Sequence, residues 1–300
     1  MTPGLVAIVG GRGYLGCALK EYLVSRGIPC RIVGRQSMAD VGSSSLLEYR
    51  SSSPSLEDAV SGASVVVHLA SLTTPAIGAR NPHLDTENVD FTLSLARACT
   101  KMQVGQLVFV SSGGTVYGEI SSPAVEEQPV NPRCSYAIAK VACENYLRMS
   151  ALETPLRVAV LRISNVYGGR QVRKGEQGVV SYLAEKIAGG QTVSLLGDTI
   201  RDYVYISDVV HALFMSMQHA RQFEIFNIST GVGTSLVDLA QTMGALLGTE
   251  VQCLVGEPRP YDLSYNVLRN DKAKAVLGWE PEYDLVAGLR AYLGVSGNVE

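Results

Sequence analysis

Three glycines near the N-terminus constrain the fold of this chain more than any other feature. Gly10, Gly13 and Gly16 join an apolar run, Leu5–Val9, to a segment with helical periodicity, Tyr14–Ser25. Glycines at this spacing allow a tight turn after a buried strand and let the backbone approach a phosphate closely. The helix that follows offers free N–H groups and the positive end of its dipole. The pattern therefore predicts a strand–turn–helix unit that binds the pyrophosphate of a dinucleotide.

Short apolar runs alternate with helical patterns through the first 165 residues. Such alternation is typical of a parallel, doubly wound α/β sheet, the Rossmann fold. After about Gly168 shorter runs predict a smaller α/β lobe. We therefore expect a dinucleotide-binding domain over 1–165 and a smaller lobe over 166–300, from which parts around 203–228 return to the first domain. The predicted strands are Leu5–Val9, Cys30–Val33, Leu46–Tyr49, Ser64–Leu69, Gln106–Ser111, Arg157–Arg162, Val193–Leu196 and Glu224–Ile228, and the predicted helices are Tyr14–Ser25, His83–Met102, Tyr136–Ala151, Val179–Ala188, Ser207–Met217, Ser235–Leu247 and Asp284–Leu293.

The composition argues against several classes of function. A net charge of −3 gives no electrostatic reason to expect a nucleic acid partner. No apolar run reaches the roughly 18 residues that span a bilayer, so we expect no membrane partner. The six cysteines contain no Cys-x-x-Cys pair and the four histidines do not cluster, which argues against a metal site. We expect a cytoplasmic protein with reduced thiols.

Tyr136 and Lys140 are four residues apart in a segment with helical character, which places both side chains on one helix face. A lysine cation beside a phenol favours the phenolate and lowers the tyrosine pKa from about 10 toward working pH. Such pairs are common on surface helices, but this one follows the glycine motif and an apolar strand that ends in Ser111 and Ser112. We therefore predict that Tyr136 is an acid/base and Lys140 its activator.

The end of the second strand bears on the choice of dinucleotide. An NAD-binding fold usually has an acidic residue here that binds the ribose 2′-hydroxyl. This chain has Gly34 and then Arg35. Glycine removes the repulsion that an acid would exert on a 2′-phosphate, and a guanidinium could neutralise that phosphate. The pattern therefore predicts NAD(P), with NADP(H) favoured over NAD(H).

Further motifs follow in a fixed order along nearly the whole chain. Together with the glycines they resemble the extended short-chain dehydrogenase/reductase family, in the nucleotide-sugar epimerase/dehydratase branch that UDP-galactose 4-epimerase typifies. The motifs that carry the resemblance are His68-Leu-Ala70 and Asn88, Ser111-Ser-Gly-Gly-Thr-Val-Tyr117-Gly118, the approach from Glu126 through Pro129 and Pro132 to Tyr136 and Lys140, Arg162-Ile-Ser-Asn165-Val-Tyr-Gly168, Arg201-Asp-Tyr203, Arg259-Pro-Tyr-Asp262, and the C-terminal segment from Lys272 to Trp279 and Pro281.

The resemblance implies a mechanism and a set of site residues. In this family the tyrosine exchanges a proton with a sugar hydroxyl, the lysine holds the nicotinamide ribose, and the nicotinamide takes or gives a hydride. The matching positions imply that Ala70 contacts the cofactor and that the smaller lobe binds a nucleotide-diphosphate sugar through Asn165, Arg201, Arg259 and Asp262. Relatives often dimerise through two helices, here His83–Met102 and Tyr136–Ala151, so a homodimer is expected.

The chain departs from the family pattern at three places. The family usually has a catalytic Ser or Thr where this chain has Gly113, so Thr115 or Ser112 would have to supply the hydroxyl, and Thr115 is the better candidate. The 4,6-dehydratases have adjacent Asp and Glu where this chain has Gly114 and Thr115, which makes elimination improbable because no carboxylate acid and base are present. The family usually has an acidic residue after the third strand, and this chain has Tyr49-Arg-Ser51 at that place.

Three functions remain open from the sequence. The first is a nucleotide-sugar epimerase, acting at C4 through a transient 4-keto sugar with Tyr136 as acid/base. The second is an NADPH-dependent nucleotide-sugar 4-ketoreductase, which the Gly34-Arg35 signature supports. The third is a non-catalytic dinucleotide sensor, supported by Gly113 and opposed by the Tyr136–Lys140 pair.

Overall fold

The computed structural model describes residues 3–34, 55–169 and 178–295. Its strands in chain order are β1 Val6–Val9, β2 Cys30–Val33, β3 Val65–His68, β4 Gln106–Ser112, β5 Arg157–Ile163, β6 Asn165–Tyr167, β7 Val193–Leu196, β8 Ile200–Tyr205, β9 Phe223–Ile228, β10 Gly233–Ser235, β11 Cys253–Gly256 and β12 Tyr265–Asn266. Its helices are α1 Tyr14–Ser25, α2 Leu56–Val60, α3 Pro75–Arg80, α4 His83–Lys101, α5 Gly113–Val116, α6 Ser135–Glu153, α7 Val179–Ala188, α8 Ile206–Ser216, α9 Leu236–Leu247 and α10 Leu285–Leu293, with a π-helical turn at Ala273–Leu277. The predicted strand Leu46–Tyr49 lies outside the described residues.

A parallel sheet with the strand order β2-β1-β3-β4-β5-β9 forms the centre of the fold among the described residues. Strand β1 pairs with β2 on one side and β3 on the other, so that Val6 lies opposite both Cys30 and Val65. The direction in which strands are added reverses at this point. In doubly wound sheets, ligands bind outside the carboxyl ends of the strands at such a switch point. The Rossmann fold predicted from the sequence is confirmed.

Burial explains why these segments form strands. All four residues of β1, Val-Ala-Ile-Val, are buried, as are those of β3. A strand buried on both faces is mostly apolar, which is the pattern of a parallel sheet covered by helices. His68 at the end of β3 is a buried polar residue and hydrogen-bonds Thr92 at 3.0 Å. The apolar core of the sheet also includes Leu95 and Cys99 from α4 and Leu147 from α6.

Contacts divide the chain into two compact units. The first unit consists of Met1–Ser112, Cys134–Arg162 and Val210–Phe226, and the second of Gly113–Arg133, Ile163–Val209 and Asn227–Glu300. The predicted boundary at 165 differs from this division at Gly113–Arg133, which belongs to the second unit by its contacts. Functional roles for the two units stay predictions.

Long-range hydrogen bonds explain why Gly113–Arg133 belongs to the second unit. The amide of Asn266 donates to the Gly113 carbonyl at 3.2 Å, and the Tyr117 hydroxyl donates to Asn227 at 2.7 Å. Ala124 also forms a β-bridge with Leu268. These partners lie more than 100 residues further along the chain, so local sequence patterns do not reveal them.

The second unit has its own small sheets and core. Among its described residues, β8 lies between β10 and β12 and also pairs with β6, while β7 pairs with β11. Helices α7, α9 and α10 pack around a core that includes Leu183, Leu239 and Leu289. The second unit thus has the mixture of helices and short strands predicted for the smaller α/β lobe after Gly168, although its boundaries differ from the predicted ones.

Candidate active site

The glycine loop connects β1 to α1 in the first unit. Gly10 has a φ of +83°, and a Cβ there would lie 2.7 Å from the Ala70 backbone nitrogen. A Cβ at Gly16 would lie 2.4 Å from Gly11 Cα, so α1 packs directly on the loop. Gly13 is exposed and caps α1 without a side-chain hydrogen bond. The open N-terminus of α1 and the closely packed glycines fit a dinucleotide pyrophosphate.

The site of the predicted 2′-phosphate contact is only partly described. Gly34 is partly buried, and a Cβ there would lie 3.9 Å from Arg12 Cδ. Arg35 lies outside the described residues, so its role stays a prediction. Arg12 was not predicted as a site residue, although it lies inside the glycine motif, between Gly11 and Gly13.

Tyr136 and Lys140 line one small pocket together with Ala70, Asn88 and Phe109. The Lys140 ammonium donates to the Val110 carbonyl at 2.9 Å and lies 5.7 Å from the centre of the Tyr136 ring. The structure therefore brings together the predicted acid/base, its lysine and Ala70, the residue beside Gly10. This convergence follows from the parallel sheet, because the ends of β3 and β4 and the start of α6 meet at one edge.

The structure does not show the predicted effect of Lys140 on the pKa of Tyr136. Burial raises the pKa of Tyr136 to about 12, while a hydrogen bond with Ser112 acts in the opposite direction. Burial also lowers the pKa of Lys140, with Cys143 and Glu144 opposing that change. The expectation of a depressed tyrosine pKa is therefore wrong for this structure, because desolvation of the phenolate outweighs its hydrogen bond.

Ser112 and Thr115 differ in their surroundings. Ser112 ends β4 in the first unit and lowers the pKa of Tyr136 against the effect of burial. Thr115 lies on α5 in the second unit, and its buried hydroxyl has no hydrogen-bond partner among the described residues. Gly113 contributes its backbone carbonyl to Asn266. An unpaired buried hydroxyl costs free energy, so Thr115 is a group that a ligand could satisfy.

The segment after β3 is fixed by a buried polar network. The Asn88 side chain accepts a hydrogen bond from the Leu72 backbone at 2.8 Å and donates to Thr73 at 2.9 Å. Thr73 in turn donates to the buried carboxylate of Asp85. The negative charge of Asp85 raises the pKa of Tyr136 among other influences. Asp85 was not identified from the sequence, because only the fold brings it close to Tyr136.

The predicted substrate-binding residues lie in the second unit. Arg259 forms a two-pronged ion pair with Asp262, with N–O distances of 2.9 and 3.0 Å. Burial is the main influence that lowers the pKa of Arg201, which Asp262 opposes and the positive charge of Arg259 reinforces. The two guanidinium groups are therefore close enough to repel each other. Asn165 donates to the Asp202 carbonyl at 3.0 Å.

In the structure Asp202 is a buried carboxylate that holds a turn, and it is not the surface ion-pair partner that its position next to Arg201 suggests. It is fully buried and accepts hydrogen bonds from Thr230 and from the Gly231 backbone, each at 2.9 Å. The carboxylate thus holds the turn after β9. Arg201 instead donates to the backbone carbonyl of Ile200.

Two features are absent from the described residues. No helix among residues 3–34, 55–169 and 178–295 is long and apolar enough to cross a membrane. The same residues contain no cluster of His, Cys, Asp and Glu that could hold a metal ion.

Comparison with known proteins identifies the family. The sequence pattern of the NAD dependent epimerase/dehydratase family matches residues 6–229. The chain belongs to this family. The resemblance stated from its motifs is therefore confirmed, and with it the expectation of a nicotinamide-dependent enzyme of nucleotide-sugar chemistry.

Three relatives illustrate the range of this family. The chain is 32% identical over 301 residues to the dTDP-4-dehydro-6-deoxyglucose reductase of Escherichia coli, covering 95% of each chain. The crystal structure of UDP-glucose 4-epimerase from Thermotoga maritima with UDP-glucose matches with a TM-score of 0.88 and 32% identity over 97% of this chain and 98% of that one. The crystal structure of the Thermus thermophilus UDP-glucose 4-epimerase in complex with NAD matches with a TM-score of 0.86 and 29% identity over 97% of this chain and 98% of that one.

Proposed function

We propose that this epimerase/dehydratase family member is a nucleotide-sugar epimerase that inverts C4 through a transient 4-keto sugar. One observation carries the proposal: Tyr136 and Lys140 line one pocket together with Ala70, which lies against the glycine loop. Tyr136, the proposed acid/base, would then lie beside the expected position of a dinucleotide. The similarity to two UDP-glucose 4-epimerases supports inversion at C4.

Each polar group of the site has a distinct proposed role. Tyr136 takes the proton of the C4 hydroxyl and later returns it. Lys140, held by the Val110 carbonyl, presents its charge to the cofactor ribose and to the developing phenolate. Thr115, whose buried hydroxyl has no partner among the described residues, is proposed to donate a hydrogen bond to an oxygen of the substrate. Hydride transfer at C4 is the chemistry that a bound nicotinamide supplies.

Arg201 and Arg259 are proposed to bind the diphosphate of the substrate. Two neighbouring guanidinium groups repel each other, and an anion relieves that repulsion. Arg259 would then share its charge between Asp262 and a phosphate. Asn165, on the adjacent strand β6, is proposed to contact the sugar. Elimination of water is not proposed, because Gly114 and Thr115 provide no carboxylate pair.

The preference for NADP(H) remains a proposal based on Gly34 and Arg35. The Arg12 side chain passes near Gly34, where a Cβ would lie 3.9 Å from Arg12 Cδ, and this supports the proposal by adding a positively charged residue close to the end of β2. Calorimetric titration with NAD and NADP tests the preference. We expect tighter NADP binding and a loss of NADP affinity in Arg35→Ala. Tighter NAD binding by the unaltered protein would overturn the proposal. The Thermus thermophilus structure is a complex with NAD, so NAD is the cofactor against which the preference has to be tested.

The epimerase proposal is tested by incubating the purified protein with UDP-glucose and a trace of cofactor. We expect UDP-galactose to accumulate to equilibrium, in amounts far above the cofactor present and with no net change in absorbance at 340 nm. UDP-N-acetylglucosamine and dTDP-glucose serve as alternative substrates in parallel. Absence of inversion with every nucleotide sugar would overturn the proposal.

The second candidate is an NADPH-dependent 4-ketoreductase. Its supporting observation is the 32% identity to a dTDP-4-dehydro-6-deoxyglucose reductase, together with Gly34. Cofactor stoichiometry distinguishes the two, because a reductase consumes one NADPH for each 4-keto sugar and an epimerase recycles its hydride. Turnover by either route would exclude a non-catalytic dinucleotide sensor.

A homodimer is proposed from the exposed apolar side chains of α6. Ile138, Tyr146, Met149 and Leu152 are between 41% and 74% exposed on this helix. A helix face with such residues is favourable to bury against another copy. Light scattering should give twice the chain mass, and Leu152→Glu should shift the protein toward the monomer.

A further inference from the structure

A buried ion pair lies one helical turn beyond Lys140 and is not part of the proposed chemistry. The Arg162 guanidinium contacts Glu144 at 2.6 Å, and both side chains are about 5% exposed or less. Arg162 Nε adds bonds of 3.1 and 3.2 Å to the two carboxylate oxygens. The Ser111 hydroxyl also donates to Glu144. The pair thus joins the end of β4, helix α6 and strand β5 inside the first unit.

Stability alone is a weak explanation for such a pair. Removing two charges from water costs several kcal/mol per ion, and well-packed apolar replacements of a buried pair are often neutral or stabilising. Buried ionic groups are best documented as devices that fix one arrangement of neighbouring elements. The question is therefore which arrangement Glu144 and Arg162 fix.

Three successive residues at the end of β4 hold three side chains of one face of α6. The Val110 carbonyl accepts from Lys140, Ser111 donates to Glu144, and the Ser112 side chain lies close enough to Tyr136 to lower its pKa. The three helix residues are four apart, so they follow one another along one face. Of the three contacts, the one to Glu144 is the one anchored to a further strand, through Arg162.

We propose that the Glu144–Arg162 pair positions the catalytic Tyr136 and Lys140, by fixing α6 against the end of β4. Glu144 and Arg162 touch neither substrate nor cofactor in this proposal and act through Ser111 and the helix. The inference deepens the proposed function and rests on it where turnover is the readout. One of its tests is independent of turnover.

The charge environment of Lys140 provides that independent test. The groups that influence Lys140 electrostatically are Cys143 and Glu144 on α6 and Asp85 on α4, and all three raise its pKa against the effect of burial. Removing the charge of Glu144 should therefore lower the pKa of Lys140. His68 on β3 is buried and neutral near pH 7.

Two variants separate positioning from folding. Ser111→Ala leaves the ion pair in place and removes its link to β4, and Ser216→Ala is the matched control, a fully buried serine that bonds Leu213 elsewhere in the same unit. The double variant Glu144→Leu/Arg162→Met replaces the pair with apolar side chains, so that no unpaired buried charge remains. The pair Arg221–Glu224, whose arginine is 65% exposed, is changed in the same way as its control.

We expect Ser111→Ala to lower kcat about tenfold and the double variant about a hundredfold, with KM changed less than threefold, since small misplacements of catalytic groups cost rates of this size. Both controls should keep normal kcat. In the double variant, NMR titration of the lysine ε-carbon signals, with Lys140 assigned by its loss in Lys140→Arg, should show a lower Lys140 pKa. Thermal melting should show both variants folded.

The outcomes distinguish the inference from the function on which it rests. Normal kcat in a folded double variant, with an unchanged Lys140 pKa, would show that the pair is only structural and would overturn the inference. A fall in kcat matched by the control variants would also overturn it. If the unaltered protein turns over no nucleotide sugar, the proposed function fails, while the Lys140 titration still decides whether the pair acts on the lysine.

Discussion

The packing of Gly16 against the glycine loop predicts a specific effect of adding one methyl group. The Cβ of Gly16→Ala would lie 2.4 Å from Gly11 Cα and 2.6 Å from the Gly10 carbonyl oxygen, about 1 Å short of the 3.4 Å at which ordinary contact begins. Both contacts are to backbone atoms, so no side-chain rotation can relieve them. Helix α1 must therefore move away from the loop. Overpacking of this kind costs roughly 1–3 kcal/mol of folding free energy.

The displaced helix should bind the dinucleotide less well. A charge-assisted hydrogen bond from its N-terminus to a phosphate contributes roughly 1.5–3 kcal/mol, so the loss of one such bond corresponds to a decrease in affinity of about 10- to 100-fold. Calorimetric titration with NAD or NADP measures this, and differential scanning calorimetry measures the fall in Tm. Gly4→Ala is the control, because its Cβ meets only the Ser64 side chain, at 3.3 Å. Affinity within twofold of the unaltered protein in Gly16→Ala would refute the reasoning.

Three further predictions concern catalysis and stability. Tyr136→Phe should lower kcat by roughly two to four orders of magnitude in an epimerase assay while dinucleotide affinity in calorimetry stays near normal, because acid–base catalysis is worth about that much; near-normal turnover would contradict its role. Thr115→Val should lower kcat about a hundredfold through loss of a polarising hydrogen bond. Ser112→Ala should instead shift the rising limb of the pH–rate profile to higher pH, because Ser112 lowers the pKa of Tyr136, whose base form takes the proton; the reverse pattern would exchange their roles. Burial lowers the pKa of His68 to about 3, so its contribution to stability is fully present above about pH 6.5, its ordinary pKa, and is lost as the pH falls toward 3. The urea midpoint of unfolding should therefore fall less between pH 7.5 and 4.5 in His68→Asn than in the exposed control His83→Gln. An equal fall of the midpoint in the two variants would disprove the prediction.

The bounds of a helix were predicted well from the sequence where a turn glycine or a capping residue marks its ends. Helix α1 has the predicted bounds Tyr14–Ser25, with the glycine loop before it and Gly27 at a φ of +68° after it. Ser235 and Asp284 were predicted as the first residues of helices and are instead N-caps, whose side chains accept hydrogen bonds from Asp238 and Ala287. A capping residue locates the start of a helix to within one position, because its side chain accepts a hydrogen bond from the first turn while the residue itself lies just outside the helix.

Non-local contacts set the limit of that approach. The pairing of Tyr117 with Asn227 and the assignment of Gly113–Arg133 to the second unit depend on residues far along the chain. The four-residue spacing placed Tyr136 and Lys140 on one face but carried no information on how deeply the fold buries them. Burial, which raises the pKa of Tyr136, is a property of the tertiary structure and reversed the expected direction.

The loss of the family hydroxyl at Gly113 is compatible with catalysis because that role is divided at this point in the chain. Ser112 is the last residue of the first unit's segment and lowers the pKa of Tyr136, whereas Gly113 begins a segment of the second unit and offers its carbonyl to Asn266. A hydroxyl can therefore be lost at 113 without changing the Ser112 side chain beside the proposed acid/base. In the proposed function the group that is lost is a donor to the substrate, and Thr115, two residues further on, has a buried hydroxyl without a partner among the described residues. The substitution at 113 thus gives no reason to regard the chain as a non-catalytic member of its family.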